Sequence, residues 1–142
     1  MTREARRIAS QQGSEARFEV GSAGHPRTAS VEVVSAASLL CVVPEPEAVA
    51  AAMWGSVCPG GAILVIETTA LMTQGAVRTL DQHTWTPDDH RAISMWAEAR
   101  RGRAVNPSRL AAFAQAQTMY RSMLSGLVAT WLFRRSAEEE RR

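Results

Sequence analysis

The sequence contains no lysine, so all 16 of its basic side chains are arginines. Guanidinium groups bind phosphate through two parallel hydrogen bonds, and this composition therefore raises the question of nucleic-acid binding. The 14 acidic residues are spread among the arginines, however, and the net charge is only +2. A nucleic-acid-binding domain concentrates far more positive charge. The bias fits genome base composition better, and we expect no nucleic-acid partner.

Cysteine is scarce as well. The chain has only Cys41 and Cys58, and both stand among apolar residues. Neither belongs to a CxxC pair or to a Cys/His set with the spacing of metal ligands. The sequence therefore predicts two buried free thiols, with no disulfide and no metal site.

Long apolar runs are also missing. No run approaches the ~20 residues that a membrane-spanning helix needs. The N-terminal sequence MTREARRIAS carries charges where a signal peptide requires an apolar stretch. A chain of 142 residues normally forms one domain. We therefore expect a single cytoplasmic domain that does not enter a membrane.

What the sequence does contain is a strand, helix and strand pattern between Val31 and Glu67. Residues 31–35 form a short β-branched run, and the alanine-rich segment after it places Val49, Met53 and Val57 on one helical face. Residues 59–61 (Pro-Gly-Gly) are expected to stop that helix and turn the chain. The apolar run 62–66 is typical of a parallel strand buried on both faces. The pattern predicts a βαβ unit.

The flanking segments have weaker signals. Residues 2–12 predict a helix that ends at Gly13, and the alternating sequence 16–20 predicts a short strand. After Glu67, helices are expected behind the cap residues Thr73, Thr86 and Asn106. An antiparallel hairpin is expected over residues 119–133, around Ser125-Gly126, before a charged tail.

The order of these elements resembles that of class I S-adenosylmethionine-dependent methyltransferases. Residues 16–23 (ARFEVGSA) match the adenine-side strand and turn, with Ser22 where the family usually has an acid. Residues 31–38 match the strand that runs under the methionine part of the cofactor, and Cys41 stands where histidine is common. Residues 59–67 and 124–135 match the fifth strand and the closing hairpin. The resemblance implies an α/β fold: a partial Rossmann-like methyltransferase sheet of parallel strands with a C-terminal antiparallel hairpin.

The resemblance also implies a cofactor, S-adenosylmethionine, and a small-molecule methyl acceptor with an oxygen or nitrogen nucleophile. The residues expected to contact the cofactor are Gly21, Ser22 and Ala23 near the adenine, and Ala36, Ala37 and Leu40 near the methionine part. A general base would be a histidine or carboxylate in the pocket. The candidates are His83 and His90, which flank the Thr86 cap; ordinary surface histidines are the alternative.

The family's glycine-rich cofactor loop has no counterpart, because no GxGxG occurs in the sequence. In the family's strand order, 3-2-1-4-5-7-6, the first two strands would lie between residues 16–20 and 31–35. Their absence predicts an open edge at residues 31–35. We expect a complementing chain, a homodimer or a truncated remnant, and weak or no cofactor binding by the chain alone. The alternative is a non-catalytic interaction module that pairs through this edge.

These expectations divide one incomplete domain, residues 1–142, into four parts. Residues 1–67 form the sheet and cofactor-cleft half, 68–117 a helical substrate-side insertion, 118–135 the closing hairpin and 136–142 a tail.

The densest basic patch is Arg100, Arg101, Arg103 and Arg109. It predicts either solvated helix ends or a site for an anionic substrate or partner.

Overall fold

The computed structural model describes residues 2–25, 30–80, 85–100 and 103–137. The helices are α1 (Thr2–Gln11), α2 (Pro46–Ser56), α3 (Gln74–Arg78) and α4 (Pro87–Ala99). The strands are β1 (Val31–Ala37), β2 (Val57–Thr68), β3 (Gln117–Met123) and β4 (Val128–Arg134). Three 3-10 turns, Pro107–Arg109, Ala111–Phe113 and Leu124–Gly126, complete the regular structure of these residues.

The four strands form one sheet in the order β1-β2-β4-β3. β1 runs parallel to β2, whereas β4 is antiparallel to both β2 and β3. The predicted α/β fold is therefore confirmed, with its parallel pair and its C-terminal antiparallel hairpin. β1 lies at one edge of this sheet and β3 at the other.

The two faces of the sheet are covered to different extents. On the covered face, Ile63 and Val65 of β2 lie beside Phe133 and Trp131 of β4, and all four are buried in a core that includes residues of α2. On the open face, Leu64 lies beside Leu132, and both remain partly exposed. A second core cluster, built on α3, α4 and the start of β4, covers only one end of the open face.

The expected helix starts are present where a side chain caps the backbone. The Thr73 hydroxyl accepts a hydrogen bond from the backbone N–H of Ala76 at the start of α3. Thr86 and Asp89 form a complete capping box at the start of α4. Gly13 follows α1 with a positive φ of 64°, the conformation that favours glycine after a helix.

The strand predicted at residues 16–20 is wrong. Residues 14–22 have no regular secondary structure, and of residues 16–20 only Phe18 is partly buried. A strand is stabilised by its neighbours in a sheet, and an isolated one has nothing to pair with. The alternating pattern of this segment therefore has no sheet to join in the described structure.

The prediction for the Pro-Gly-Gly segment is also wrong in its detail. The helix ends earlier, at Ser56, and residues 59–61 lie inside β2. The register with β1 jumps there, from Val31 opposite Val57 to Val33 opposite Ala62. The segment is thus an irregularity within a strand rather than a turn before it, and Val57 belongs to the strand.

The third predicted helix is two separate 3-10 turns. Asn106 does cap the first, since its side chain accepts a hydrogen bond from the backbone N–H of Ser108. Leu110 between the turns is extended, with φ −73° and ψ 132°. The next amide, Ala111 N–H, donates a 3.2 Å hydrogen bond to the carboxylate of Glu47 in α2 instead of continuing a helix.

Among the described residues, no helix is long and apolar enough to cross a membrane.

Candidate functional site

The candidate site lies at the carboxyl ends of the parallel strands β1 and β2, where open α/β sheets bind ligands. The loop after β1, residues 38–44, is tied to the end of β2 by two hydrogen bonds. The Ser38 N–H donates to the Ile66 carbonyl at 2.8 Å, and the Leu40 N–H donates to the Glu67 Oε1 at 2.7 Å. Ser38 has a positive φ of 52°, so the chain bends sharply as it leaves β1. We call residues 38–44 the β1 loop.

Glu67 is a carboxylate in the interior, with 0% of its surface exposed. Its Oε1 is occupied by the Leu40 amide, whereas its Oε2 has no hydrogen-bond partner among the described residues. Cys41 lies beside this carboxylate and is also buried. Burial, followed by the neighbouring Glu67, raises the pKa of the Cys41 thiol to about 11. Cys41 is therefore a neutral thiol at physiological pH, as expected for a buried free cysteine.

Arg100, at the C-terminal end of α4, reaches the same loop from the other side. Its Nη2 donates 3.1 Å to the Ser38 carbonyl. Its Nε is buried and has no hydrogen-bond partner in the described part of the chain. The positive charge of Arg100 partly opposes the effect of Glu67 on the pKa of Cys41, so the three side chains share one electrostatic environment.

Three clefts surround this group, and Ala104 borders all of them. Cleft 1, of about 640 Å³, lies between the segment after β2, the start of α3 and the end of α4. Cleft 2, of about 620 Å³, is lined by the first 3-10 segment together with Tyr120 and Trp131. Cleft 3, of about 460 Å³, is lined by residues 40–44 of the β1 loop and by residues 103–105.

The structure brings some of the predicted cofactor residues together. Ala36 and Leu40 belong to the main core cluster, and Ala23 packs against it. Ala37 is exposed at the end of β1, whereas Gly21 and Ser22 are exposed in the irregular segment before it. The side chains of Ala36 and Leu40 are buried by the protein itself, and the Leu40 amide is occupied by Glu67. Any ligand contact at these two residues must therefore use their remaining backbone atoms.

Of the two predicted catalytic histidines, the described one, His90, is not brought to the clefts. His83 lies outside the described residues. His90 lies in the first turn of α4, its Nε2 is buried without a partner among the described residues, and it lines none of the three clefts. No group of three or more potential metal ligands occurs in the described parts of the chain.

Sequence reasoning missed Glu67 and Arg100 as members of one site. The signal for Glu67 was present, because a carboxylate closes the most apolar strand of the chain. Such a residue needs a polar partner once it is buried. The signal for Arg100 was its basic patch, but nothing in the sequence indicates that it contacts Ser38, 62 residues away.

Comparison by sequence finds no family model and no curated protein that matches this chain. Comparison of structures finds an O-methyltransferase family protein from Burkholderia thailandensis, with a TM-score of 0.59 and 20% identity over 96% of this chain and 40% of that one. A candidate methyltransferase from Bacillus halodurans has a TM-score of 0.53 and 10% identity over 95% of this chain and 78% of that one.

A candidate exported protein from Bordetella parapertussis is also similar, with a TM-score of 0.64 and 16% identity over 94% of this chain. The chain spans 49% of that protein and 40% of the Burkholderia one, or about half the length of the first structures it resembles. The likeness to the two methyltransferase structures concerns the fold, and this mixed α/β sheet matches part of a methyltransferase fold.

Proposed function

We propose that residues 1–142 are part of an S-adenosylmethionine-dependent methyltransferase that transfers a methyl group to an oxygen or nitrogen atom of a small molecule. The observation that carries this proposal is the sheet. A parallel pair is extended by an antiparallel hairpin in the order β1-β2-β4-β3, and clefts lie at the carboxyl ends of the parallel strands. The structural similarity to methyltransferases supports the same assignment.

The residues present fit one end of the cofactor only. Ala37 is small and exposed, and the backbone of the β1 loop borders cleft 3, so this part of the chain can approach the methionine end. When bound, S-adenosylmethionine supplies an activated methyl group. The role of the described residues is to place the acceptor against it, because methyl transfer depends mainly on in-line positioning.

The other wall of the cofactor cleft must come from a segment outside these residues, since the sequence has no glycine-rich loop. β1 is the place where such a segment would join, because its outer edge has no strand partner in the described structure. We therefore expect the chain by itself to bind the cofactor weakly.

Solution NMR tests this proposal, because it detects weak binding residue by residue. Titration with S-adenosylhomocysteine should shift the backbone signals of Ala23, Ala37 and the β1 loop, and leave β3 unchanged. Ala37→Phe should abolish these shifts, whereas Ser35→Phe, at another exposed position of the same strand, should not. Shifts confined to residues other than Ala23, Ala37 and the β1 loop, or shifts that Ala37→Phe leaves intact, would contradict the cofactor site. Micromolar affinity would contradict the need for another segment.

A non-catalytic role remains the second proposal, and the exposed edge of β1 is the observation that favours it. Val33 in this strand is 63% exposed, and an exposed apolar edge strand is a place where another strand can pair. In this non-catalytic role, the edge of β1 pairs with a second copy of the chain or with a complementing chain. Light scattering after size-exclusion chromatography should then show self-association that Val33→Lys reduces. A monomer at every concentration would argue against pairing between copies.

A further inference from the structure

Cleft 1 contains two arginines and several polar groups that are already occupied. The Thr69 hydroxyl donates to the Gly126 carbonyl, the Thr73 hydroxyl accepts from the Ala76 amide, and the Gln74 side chain donates to the Ser94 carbonyl. Glu98 also lines the cleft. The cationic donors that line the cleft are those of Arg100 and Arg103.

One nitrogen of Arg100 lacks a hydrogen-bond acceptor among the described residues. One of its terminal nitrogens holds the Ser38 carbonyl, but its Nε is buried without an acceptor in the described structure. Buried donors of charged groups are normally hydrogen-bonded, because an unmade bond to such a group is costly. Arg100 also lines cleft 1, which places its positive charge beside any molecule that enters the cleft.

The remaining lining indicates what kind of molecule this is. Met72, Ala97 and Ala104 give cleft 1 an apolar wall beside the arginines. Its volume of about 640 Å³ is in the range of small-molecule pockets. The planar edge of a guanidinium matches a carboxylate, which can accept two parallel hydrogen bonds.

We propose that cleft 1 is a binding site for a small carboxylate with an apolar body, held at its carboxylate by Arg100 and Arg103. The proposal of a carboxylate-binding site depends only on the geometry and lining of the cleft. Its identification as the place of the methyl acceptor rests on the proposed function. Because the Arg100 guanidinium also holds Ser38, the same side chain connects this ligand to the β1 loop.

The test is a titration of the full chain with benzoate, in which isothermal calorimetry or NMR measures binding. Benzoate should bind saturably and more weakly as salt is added, whereas the neutral isostere benzamide should not bind. Arg100→Gln should weaken benzoate binding about tenfold or more, the effect expected for loss of a charged hydrogen bond. Arg103→Gln should weaken it by a smaller factor of roughly three.

Arg78→Gln is the matched control, since Arg78 is an exposed arginine of α3 that does not line the cleft. It should leave the affinity unchanged. Arg103 is itself exposed, so Arg103→Gln keeps the proposal testable even if Arg100→Gln unfolds the chain. The proposal is overturned if benzoate does not saturate, if benzamide binds equally well, or if Arg78→Gln has the same effect as Arg103→Gln.

A further arm separates this proposal from the methyltransferase assignment. Benzoate binding needs no cofactor, so it should persist even if S-adenosylhomocysteine does not bind. S-adenosylhomocysteine also carries a carboxylate. If it displaces benzoate, cleft 1 belongs to the cofactor and the assignment to a separate carboxylate ligand is wrong.

Discussion

The two faces of the sheet differ in how completely the chain covers them. On the covered face, Phe133 is fully buried and stacks on Phe113 with ring centroids 4.2 Å apart. On the open face, Met119 of the edge strand β3 is 60% exposed. The covered face thus has a finished core of its own, whereas most of the open face and the edge at β1 resemble a surface that another segment covers.

The largest effect should come from truncating a side chain of the covered face. Phe133→Ala removes a fully buried ring and leaves a cavity beside Phe113, which typically lowers the free energy of unfolding by about 3–5 kcal/mol. Met119→Ala on the open face should change it by less than about 0.5 kcal/mol. Chemical denaturation followed by circular dichroism measures both. Equal losses for the two variants would show that the open face is also packed in solution.

The next effect concerns how the edge strand β1 is attached. A Cβ at Gly61 would lie 2.6 Å from the Glu32 carbonyl oxygen of β1 and 2.6 Å from Val57 Cγ1. Backbone cannot give way easily, so Gly61→Ala should cost about 1–3 kcal/mol and push β1 away from β2.

Gly55→Ala is the matched control, because a Cβ there meets nothing within 4 Å inside α2. It should stabilise the chain by about 0.5–1 kcal/mol. Hydrogen exchange adds a second measurement: Gly61→Ala should speed exchange in β1 more than in β4. Uniform loss of protection across the sheet would mean that β1 is not a separable edge.

The predictable part of this fold is the part specified by local signals. Thr73 and Thr86 cap their helices as expected, because a cap depends on residues three positions apart. The hairpin of β3 and β4 is likewise specified by neighbouring sequence. Residues 16–20 have the pattern of a strand but lack a partner, and partners are set by distant segments.

The candidate site was harder to predict for the same reason. The Leu40 amide and the Glu67 carboxylate are 27 positions apart in the chain. The sequence marks Glu67 as an unusual end to an apolar strand, but it does not reveal which amide it accepts. The resemblance to methyltransferases supplied the strand order, and the contacts of Arg100 and Glu67 required the structure.

Substitutions of Glu67 test whether its hydrogen bond to the Leu40 amide stabilises the covered face. Glu67→Ala leaves the Leu40 amide buried without an acceptor, which should cost about 1–3 kcal/mol. Glu67→Gln retains an oxygen at the position of Oε1 and should cost less. The free energy of unfolding near pH 7 compares them. Equal losses would mean that the negative charge, rather than the hydrogen bond to Leu40, holds the β1 loop.

The last effect is absent near neutral pH and should appear only at alkaline pH. The pKa of Cys41 is raised from 9.0 to about 11 by burial and by Glu67. Between these values the unfolded chain loses the thiol proton while the folded chain keeps it, so stability falls as the pH rises. The difference corresponds to a loss of about 2 kcal/mol by pH 11.

The measurement is the free energy of unfolding from pH 8 to pH 11 for the parent chain and for Cys41→Ala. Groups that titrate in the same window are common to both proteins and cancel in the comparison. The parent should lose more stability than Cys41→Ala, and Glu67→Gln should show a smaller pH-dependent loss because one cause of the raised pKa is removed. Parallel curves for the parent and Cys41→Ala would mean that the thiol is not buried in the core of the covered face. The buried part of the β1 loop would then extend only to Leu40.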